Sequence, residues 1–232
     1  TWSGTYALQS GSNTLSITAM DSKGYQSAAV TTTVIFDNTA PTISGSTPAN
    51  NAFINATITS VSLSLTDTYS TIDLPATING ATAKNASGQT ITGTWATSGT
   101  SSVIFTPSNP FSQDTYTVTV YPSDGFGNKA TGQITFSYDT TAPPVPTINA
   151  VVSPTNQSSQ TITGTKSTDT AAIIITSSTA TIGAVSYPTS TTWSASVSNL
   201  KEGLNAITAS AKDAAGNQSI AASAVITYDS KP

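Results

Sequence analysis

The 232-residue sequence contains no cysteine, no histidine and no arginine, and Glu202 is its only glutamate. Without cysteine there is no disulfide framework, and without cysteine or histidine the usual nucleophile–base triads are excluded. Charged residues make up 8% of the chain, and the net charge is −4. An acidic chain whose seven basic residues are all lysine argues against nucleic-acid binding. No apolar run is long enough to cross a membrane.

Serine and threonine are abundant instead, and together they make up roughly a third of all residues. Threonine favours the pleated surface of a β-strand, whereas serine, glycine, asparagine and proline favour turns. This composition is typical of secreted bacterial surface proteins rather than cytosolic enzymes. Thr1 opens directly into a β-like pattern without a signal peptide, as mature secreted chains also do. We therefore expect an extracellular protein at the bacterial cell surface.

One strand–turn–strand pattern occurs three times. The copies read NTLSITAMDSKGYQSAAVTTTVIFDNTAP from Asn13, DTYTVTVYPSDGFGNKATGQITFSYDTTAP from Asp114 and NAITASAKDAAGNQSIAASAVITYDSKP from Asn205. Each contains a D-x-x-G turn between two alternating strands, then an aromatic–Asp pair and a proline. The Asp of that pair recurs after 102 residues (139 − 37) and after 90 residues (229 − 139). A repeat of about 100 residues is the size of an immunoglobulin-like sandwich.

Short alternating runs fill the rest of each repeat. They include VSLSLTD (61–67), SVIFTP (102–107), AAIIIT (171–176) and WSASV (193–197), and turn residues separate them. No segment keeps a 3.6-residue period, so we predict an all-β fold of tandem immunoglobulin-like β-sandwiches joined by short proline-containing linkers. AAIIIT is expected to be an interior strand, because an exposed segment of this kind aggregates.

The predicted domains are residues 1–38, 39–140 and 141–232. The first is the C-terminal part of a domain, because TWSGTYALQSGSNTLSITA from Thr1 aligns with TWSASVSNLKEGLNAITASA from Thr192. Such a part cannot close a sandwich core and would leave strand edges unpaired. Two explanations stay open: the chain is a trimmed fragment, or another chain supplies the missing strands.

The D-A-A-G-N turn followed by YDSKP resembles bacterial Ig-like repeats, whose units often end in D-x-T-A-P. Residues 153–165 and 193–217 resemble the glucodextranase-type Ig-like domain, and residues 46–54, 103–120 and 124–128 resemble the Ig-like domain of S-layer proteins. The first copy departs from the pattern, with Tyr25 in place of the asparagine.

Modules of this kind occur in large repeat adhesins, in surface-layer and cell-wall proteins, and as spacers in secreted polysaccharide-degrading enzymes. The resemblance therefore implies a non-catalytic structural or adhesive stalk, or a building block of a surface layer or extracellular fibre. The alternative is a carbohydrate-binding or spacer module of a polysaccharide-active enzyme. The expected partners are neighbouring Ig-like domains or other copies of the chain, with glycans as a further candidate.

We expect acidic side chains to converge where one repeat joins the next. The strand of about ten residues between Asp213 and Asp229 is about 30 Å long, so these two acids cannot share a site. The terminal Asp of one domain should instead meet the D-x-x-G turn of the next. The first joint then gathers Asp37, Asp67 and Asp124, and the second gathers Asp139, Asp169 and Asp213.

Two explanations for these aspartates stay open. Oxygen-only ligands suit Ca²⁺, with an affinity on the order of 10⁻⁴–10⁻³ M in extracellular modules. The resemblance points the same way, because large bacterial Ig-like adhesins hold calcium at such joints. Alternatively, an aspartate in a tight turn simply accepts backbone hydrogen bonds and caps the local chain.

Trp2, Trp95 and Trp193 are candidates for a sugar-binding platform. Trp193 alternates with Ala195 and Val197, so we expect it in the core, and Trp2 likewise because the alignment pairs the two. Trp95 is flanked by small polar residues and is the candidate exposed aromatic and candidate glycan ligand.

No catalytic site is predicted. Asp67 and Asp73 are the nearest carboxylate pair outside the joints, and glycoside hydrolysis requires two carboxyls held at set separations in a cleft. A loop pair on a small sandwich usually faces solvent instead. The chain is therefore expected not to be an enzyme.

Overall fold

The structure is a computed structural model that describes residues 2–231, and its chain is organised almost entirely as antiparallel β-strands. By its contacts the chain divides into two compact units, residues 1–52 with 57–136 and residues 53–56 with 137–232. The all-β prediction is confirmed, whereas the domain boundaries after residues 38 and 140 stay a prediction. Among the described residues, no helix is long and apolar enough to cross a membrane.

Ten strands and one short helix precede residue 139. In chain order they are β1 Gly11–Ile17, β2 Val30–Phe36, β3 Thr42–Thr47, β4 Ala52–Ile54, β5 Val61–Thr66, α1 Leu74–Ile78, β6 Thr82–Asn85, β7 Gly93–Ser98, β8 Ser102–Pro107, β9 Asp114–Val120 and β10 Gly132–Tyr138. Strands β1 and β2 form a two-stranded sheet of their own. The sheets β3-β5-β8-β7 and β4-β10-β9-β6 form a sandwich.

The core of this sandwich follows from the alternation of its strands. Along β5, β8 and β9 every second residue is buried, which places one face of each sheet against the other. Three aromatic rings fill the middle. The ring centroids of Phe111 and Tyr116 are 4.6 Å apart, and Phe136 lies 5.5 Å from Phe111 and 5.4 Å from Tyr116.

Seven further strands follow. They are β11 Gln160–Thr165, β12 Ala172–Thr176, β13 Thr181–Ile182, β14 Ser186–Thr189, β15 Thr192–Ser198, β16 Gly203–Lys212 and β17 Ala222–Tyr228. One sheet has the order β11-β15-β13, with β14 also paired to β15, and the other has the order β12-β16-β17. Trp193 is 1% exposed and packs in a core with Ile162, Val197, Ile207 and Ile226, as predicted.

The expectation that AAIIIT is an interior strand is wrong, because β12 lies at the end of its three-stranded sheet. The edge is nevertheless partly closed. The backbone N–H of Ile173 donates to the Tyr187 hydroxyl at 2.9 Å, so a side chain takes the place of a neighbouring strand at that point.

The β1–β2 hairpin has the same register as the β16–β17 hairpin, since Gly11 faces Phe36 and Gly203 faces Tyr228. A buried asparagine stabilises each of these hairpins. The Asn13 amide donates to the carbonyls of Gln9, Gly11 and Val34, and the Asn205 amide to those of Lys201, Gly203 and Ile226. The similarity of the two segments therefore extends from sequence to hydrogen bonds.

The two hairpins differ in burial. Ile207 and Ile226 are fully buried, whereas the matching Leu15 and Val34 are only half-buried. Trp2 is 73% exposed, so its predicted place in a core is wrong. In the second unit Trp193 lies on β15 between two neighbouring strands, and the structure forms no strand around Trp2 to provide such a place.

Candidate functional site

Three D-x-x-G turns connect the hairpin strands, and all three close in the same way. In each turn the Asp Oδ1 accepts a hydrogen bond from the backbone N–H four residues on. The donors are Tyr25 at 3.0 Å, Asn128 at 2.8 Å and Asn217 at 2.8 Å. The glycine of each turn has a φ of 87–97°, a left-handed conformation that glycine adopts without strain.

The side chain of Asn128 connects its turn to the preceding linker. Asn128 Nδ2 donates to Asp124 Oδ2 at 2.7 Å and to the Asp37 carbonyl oxygen at 3.3 Å. Asp37 lies in the linker between β2 and β3, so the turn between β9 and β10 is bonded to the segment that enters the sandwich. Asn128 is half-buried.

Three carboxyl groups meet at this point. Oxygens of Asp37, Asp67 and Asp124 lie within 4.8 Å of one another, the sole such group of three acidic side chains in residues 2–231. The Ser70 hydroxyl lies among them, 3.1 Å from Asp67 Oδ1 and 3.2 Å from Asp124 Oδ2. We call Asp37, Asp67, Ser70, Asp124 and Asn128 the first turn cluster. Asp124 is only 1% exposed.

One oxygen of the cluster has no partner. Asp37 Oδ1 accepts from the Thr39 backbone N–H at 3.0 Å and from its hydroxyl at 2.8 Å. Asp37 Oδ2 is shielded from solvent and has no hydrogen-bond partner at bonding geometry among the described residues. The Ser70 hydroxyl has one proton beside three carboxylates, so at most one of them receives its hydrogen bond at a time. A buried acceptor without a donor fits a site that receives a cation.

The surroundings favour ionised carboxylates. The pKa of Asp37 is lowered from its ordinary value, chiefly by the neighbouring Ser70 hydroxyl and then by the Thr39 backbone N–H. Burial raises the pKa of Asp124, but hydrogen bonds from the Asn128 side chain and backbone, from Phe126 and from Ser70 outweigh it, so the net pKa is lowered. Both groups are therefore negative at neutral pH, although they lie side by side.

Both sequence-based explanations for the aspartates stay predictions. The carboxylate oxygens that accept backbone N–H groups act as turn and cap acceptors, as they do in Asp67, whose Oδ1 accepts from Tyr69 and Ser70. The three carboxylates and the Ser70 hydroxyl are hard oxygen donors of the kind that Ca²⁺ prefers. Asp37, Asp67 and Asp124 are the residues that could hold such an ion.

The second predicted group is arranged differently. Asn217 Nδ2 donates to Asp213 Oδ2 and to the Asp139 carbonyl oxygen, both at 2.8 Å, so the bond from turn to linker is repeated. We call Asp139, Asp213 and Asn217 the second turn cluster. Asp169 is exposed, and no third acidic side chain joins Asp139 and Asp213 within the described chain.

Loop length explains the difference between the clusters. The loop after β5 is anchored by Leu65 N–H to the Ser101 carbonyl and by Asp73 N–H to the Ser123 carbonyl. The loop after β11 has equivalent anchors, from Lys166 to Thr191 and from Ala171 to Lys212. Seven residues (66–72) lie between the first pair and four (167–170) between the second. The longer loop contains Asp67 and Ser70, whereas the shorter one contains Asp169, which is exposed.

Trp95, the candidate glycan ligand, lies on β7 opposite Phe105 of β8. Its ring centroid is 5.1 Å from that of Phe105, and the side chain is half-buried. Trp2 is the more exposed tryptophan. The helix cap accounts for Asp73, whose Oδ1 accepts from the Ala76 backbone N–H at 3.0 Å at the start of α1.

Sequence reasoning missed the role of two asparagines and one serine. Asn128 and Asn217 occupy the fifth position of D-x-x-G-N, and the recurrence of that asparagine in two of three turns was the available signal. Ser70 had no such signal, because its position depends on how the loop after β5 folds back.

Comparison with known families gives one match. Residues 37–141 match the family model of the bacterial Ig-like domain. The matched region contains β3 to β10 and all three acids of the first turn cluster. No curated relative matches the sequence.

Several solved structures are similar in fold at low identity. They include the fibronectin(III)-like modules of Clostridium thermocellum CbhA (15% identity, 81% of this chain and 93% of that chain, TM-score 0.44). Chicken CNTN1 FN1–FN3 domains match with 14% identity, 93% and 76% coverage and a TM-score of 0.41. A tetra-tandem repeat in the extending region of a large adhesion protein matches with 18% identity, 95% and 57% coverage and a TM-score of 0.35. Likenesses at this level say nothing about what this chain binds.

Proposed function

We propose that the chain is a non-catalytic structural or adhesive stalk, or a building block of a secreted bacterial surface protein, surface layer or extracellular fibre, made of end-to-end Ig-like domains. The observation that carries the proposal is the repeated bond between a D-x-x-G-N turn and the linker that precedes it. Asn128 bonds the Asp37 carbonyl, and Asn217 bonds the Asp139 carbonyl. A linker that is bonded to the domain it enters transmits orientation and force, which a stalk requires.

The stalk proposal is tested by electron microscopy of the purified chain at increasing concentration. Ordered end-to-end strings are the expected result, because neighbouring Ig-like domains and further copies of the chain are the proposed partners. Isolated particles at every concentration, with and without calcium, would contradict a role as a self-assembling building block.

We further propose that the first turn cluster binds one calcium ion at the extracellular surface. The support is the convergence of three carboxyl groups, the lowered pKa of two of them and the unpartnered buried oxygen of Asp37. Like charges this close repel one another, and a divalent cation reverses the sign of that interaction.

Calcium should therefore raise the melting temperature. With a dissociation constant on the order of 10⁻⁴–10⁻³ M, about 10 mM calcium stabilises the folded state by about 1.4–2.7 kcal/mol. That corresponds to a rise of about 5–15 °C for a domain of this size. The measurement is a thermal melt with calcium and with a chelator.

Two matched variants locate the effect. Asp67→Asn removes one of the three negative charges and should strongly reduce the calcium-dependent rise, whereas Asp169→Asn, on the exposed loop after β11, should retain it. A wild-type melting temperature that is the same in calcium and in chelator would remove the calcium proposal and leave the stalk proposal to the microscopy.

The alternative function is carbohydrate binding, as a module of a secreted polysaccharide-active enzyme, with Trp95 as the glycan ligand. A polysaccharide pull-down with wild type and Trp95→Ala tests it. We expect no binding that depends on this ring, because one side of it packs on Phe105. Retention of the wild type and loss of Trp95→Ala would instead favour the carbohydrate-binding function.

A further inference from the structure

We propose that Asn128 and Asn217 are positioning residues that dock the preceding linker through its main chain, and that they do so without metal. We call this arrangement the amide latch. It consists of one asparagine carboxamide, the aspartate of its own D-x-x-G turn and the carbonyl oxygen of the linker aspartate. It occurs once in each unit, with Asp37 as the linker residue in the first and Asp139 in the second.

The latch uses every donor that the asparagine has. Its backbone N–H donates to the turn aspartate Oδ1, and one hydrogen of its Nδ2 donates to Oδ2 of the same carboxylate. These two bonds fix the carboxamide plane against the carboxylate. The second Nδ2 hydrogen then points away from the turn, and the linker carbonyl accepts it.

The chemistry explains why this position needs asparagine. An aspartate there would have no side-chain donor and would repel the turn carboxylate, and the side chain of a serine would have one proton for two acceptors. The turn at Asp21 is the natural counterexample. Tyr25 keeps the backbone bond to Asp21 Oδ1 at 3.0 Å but has no carboxamide to continue it.

Local hydrogen bonds hold each linker in the conformation that the amide latch requires. Asp37 Oδ1 accepts from the Thr39 N–H at 3.0 Å, and Asp139 Oδ1 accepts from the Thr141 N–H at 2.9 Å. Each aspartate side chain thus folds over its own following residues. The carboxylate is engaged locally, and the main-chain carbonyl remains for the asparagine.

The second turn cluster shows that the latch does not depend on three converging acids. It lacks a counterpart of Asp67, yet its bond from Nδ2 to the linker carbonyl is 2.8 Å, against 3.3 Å in the first turn cluster. Linker docking and calcium binding are therefore separable, and the latch stands whether or not the calcium proposal holds.

Amide hydrogen exchange of the full chain, followed by NMR in the presence of a chelator, tests the latch. Asn217→Ala should speed exchange of the Thr141 amide, and Asn128→Ala that of the Thr39 amide, by about three- to ten-fold, the loss expected for one hydrogen bond. Tyr25→Ala is the matched control, at the same turn position without a carboxamide, and should leave both amides unchanged.

A second measurement uses the wild type and does not depend on the variants folding. The carboxamide protons of Asn128 and Asn217 should exchange more slowly than those of the exposed Asn156, and a scalar coupling should connect Asn217 Nδ2 with the Asp139 carbonyl carbon. Equal exchange of all three carboxamides, absence of that coupling, or protection of the linker amides only in calcium would overturn the proposal. Failure of the calcium-dependent melt alone would leave it intact.

Discussion

At the scale of single residues, the buried carboxylate of Asp124 accepts several hydrogen bonds that hold its surroundings in place. Its two oxygens accept hydrogen bonds from Phe126, from the backbone and side chain of Asn128, and from Ser70. The same side chain closes a turn, orients the latch and contributes to the acidic group of the first turn cluster. Its neutral form could keep only part of these bonds.

Acid should therefore destabilise the first unit. The pKa of Asp124 is lowered below its ordinary value of 3.8. A carboxyl with a lowered folded-state pKa contributes stability that is present above the ordinary value and is lost as pH falls through the folded value. We expect the free energy of unfolding, measured with urea in chelator, to fall as the pH drops below about 4.

Asp124→Asn is the variant that checks this assignment. It should cost about 1–3 kcal/mol at neutral pH, because buried donors lose a charged acceptor, and its stability should depend less on pH than that of the wild type. Asp169→Asn, on an exposed position, should keep the wild-type pH profile. An unchanged profile in Asp124→Asn would show that other groups cause the acid sensitivity.

At the scale of strands and loops, sequence reasoning predicted what alternation and strand length determine. The positions of Asp37 and Asp124 at the ends of antiparallel strands were predictable, because a strand of known length has its ends at opposite edges of a sheet. The course of a loop was not. Asp169 resembles Asp67 in sequence context, but its loop is three residues shorter and leaves it in solvent.

The sequence likewise did not predict which strands lie at the edges of the sheets. AAIIIT has the apolar character of an interior strand, yet β12 lies at the end of its sheet and donates a hydrogen bond to Tyr187 on a separate strand. That contact joins residues 14 positions apart, and no periodicity in the sequence signals it.

A glycine on β11 gives a prediction at this scale. A Cβ at Gly164 would overlap the Thr147 carbonyl oxygen and lie 2.6 Å from the Trp193 ring. Gly164→Ala should therefore destabilise the second unit by about 1–3 kcal/mol, the usual cost of overpacking. Urea unfolding followed by tryptophan fluorescence measures the change.

Gly45 on β3 provides the control, because a Cβ there would meet nothing within 4 Å. Gly45→Ala should change the free energy of unfolding by less than about 0.5 kcal/mol. Equal effects of the two substitutions would mean that the close approach at Gly164 does not limit packing.

At the scale of the whole molecule, the two compact units differ in the acidic groups that they contain. The first holds three converging carboxyl groups, and the second holds a latch without a third acid. Each unit has its own core, built on Phe105, Tyr116 and Phe136 in one and on Trp193 and Ile207 in the other.

Calcium should consequently shift the unfolding of one unit only. In a chain with Trp2→Phe and Trp95→Phe, fluorescence reports Trp193 and hence the second unit. That transition should stay at the same temperature in calcium and in chelator, while calorimetry of the same protein shows the first unit melting later in calcium. A shift of the Trp193 signal equal to the calorimetric one would show that the two units unfold together.

The carbonyl that each asparagine holds is a backbone atom, and every amino acid has one. The linkers FDNTAP and YDTTAP therefore dock by the same main-chain contact, because an aspartate shapes the bend in each. Because the contact is made to the main chain, the residues that flank the aspartate can change while the asparagine keeps its acceptor.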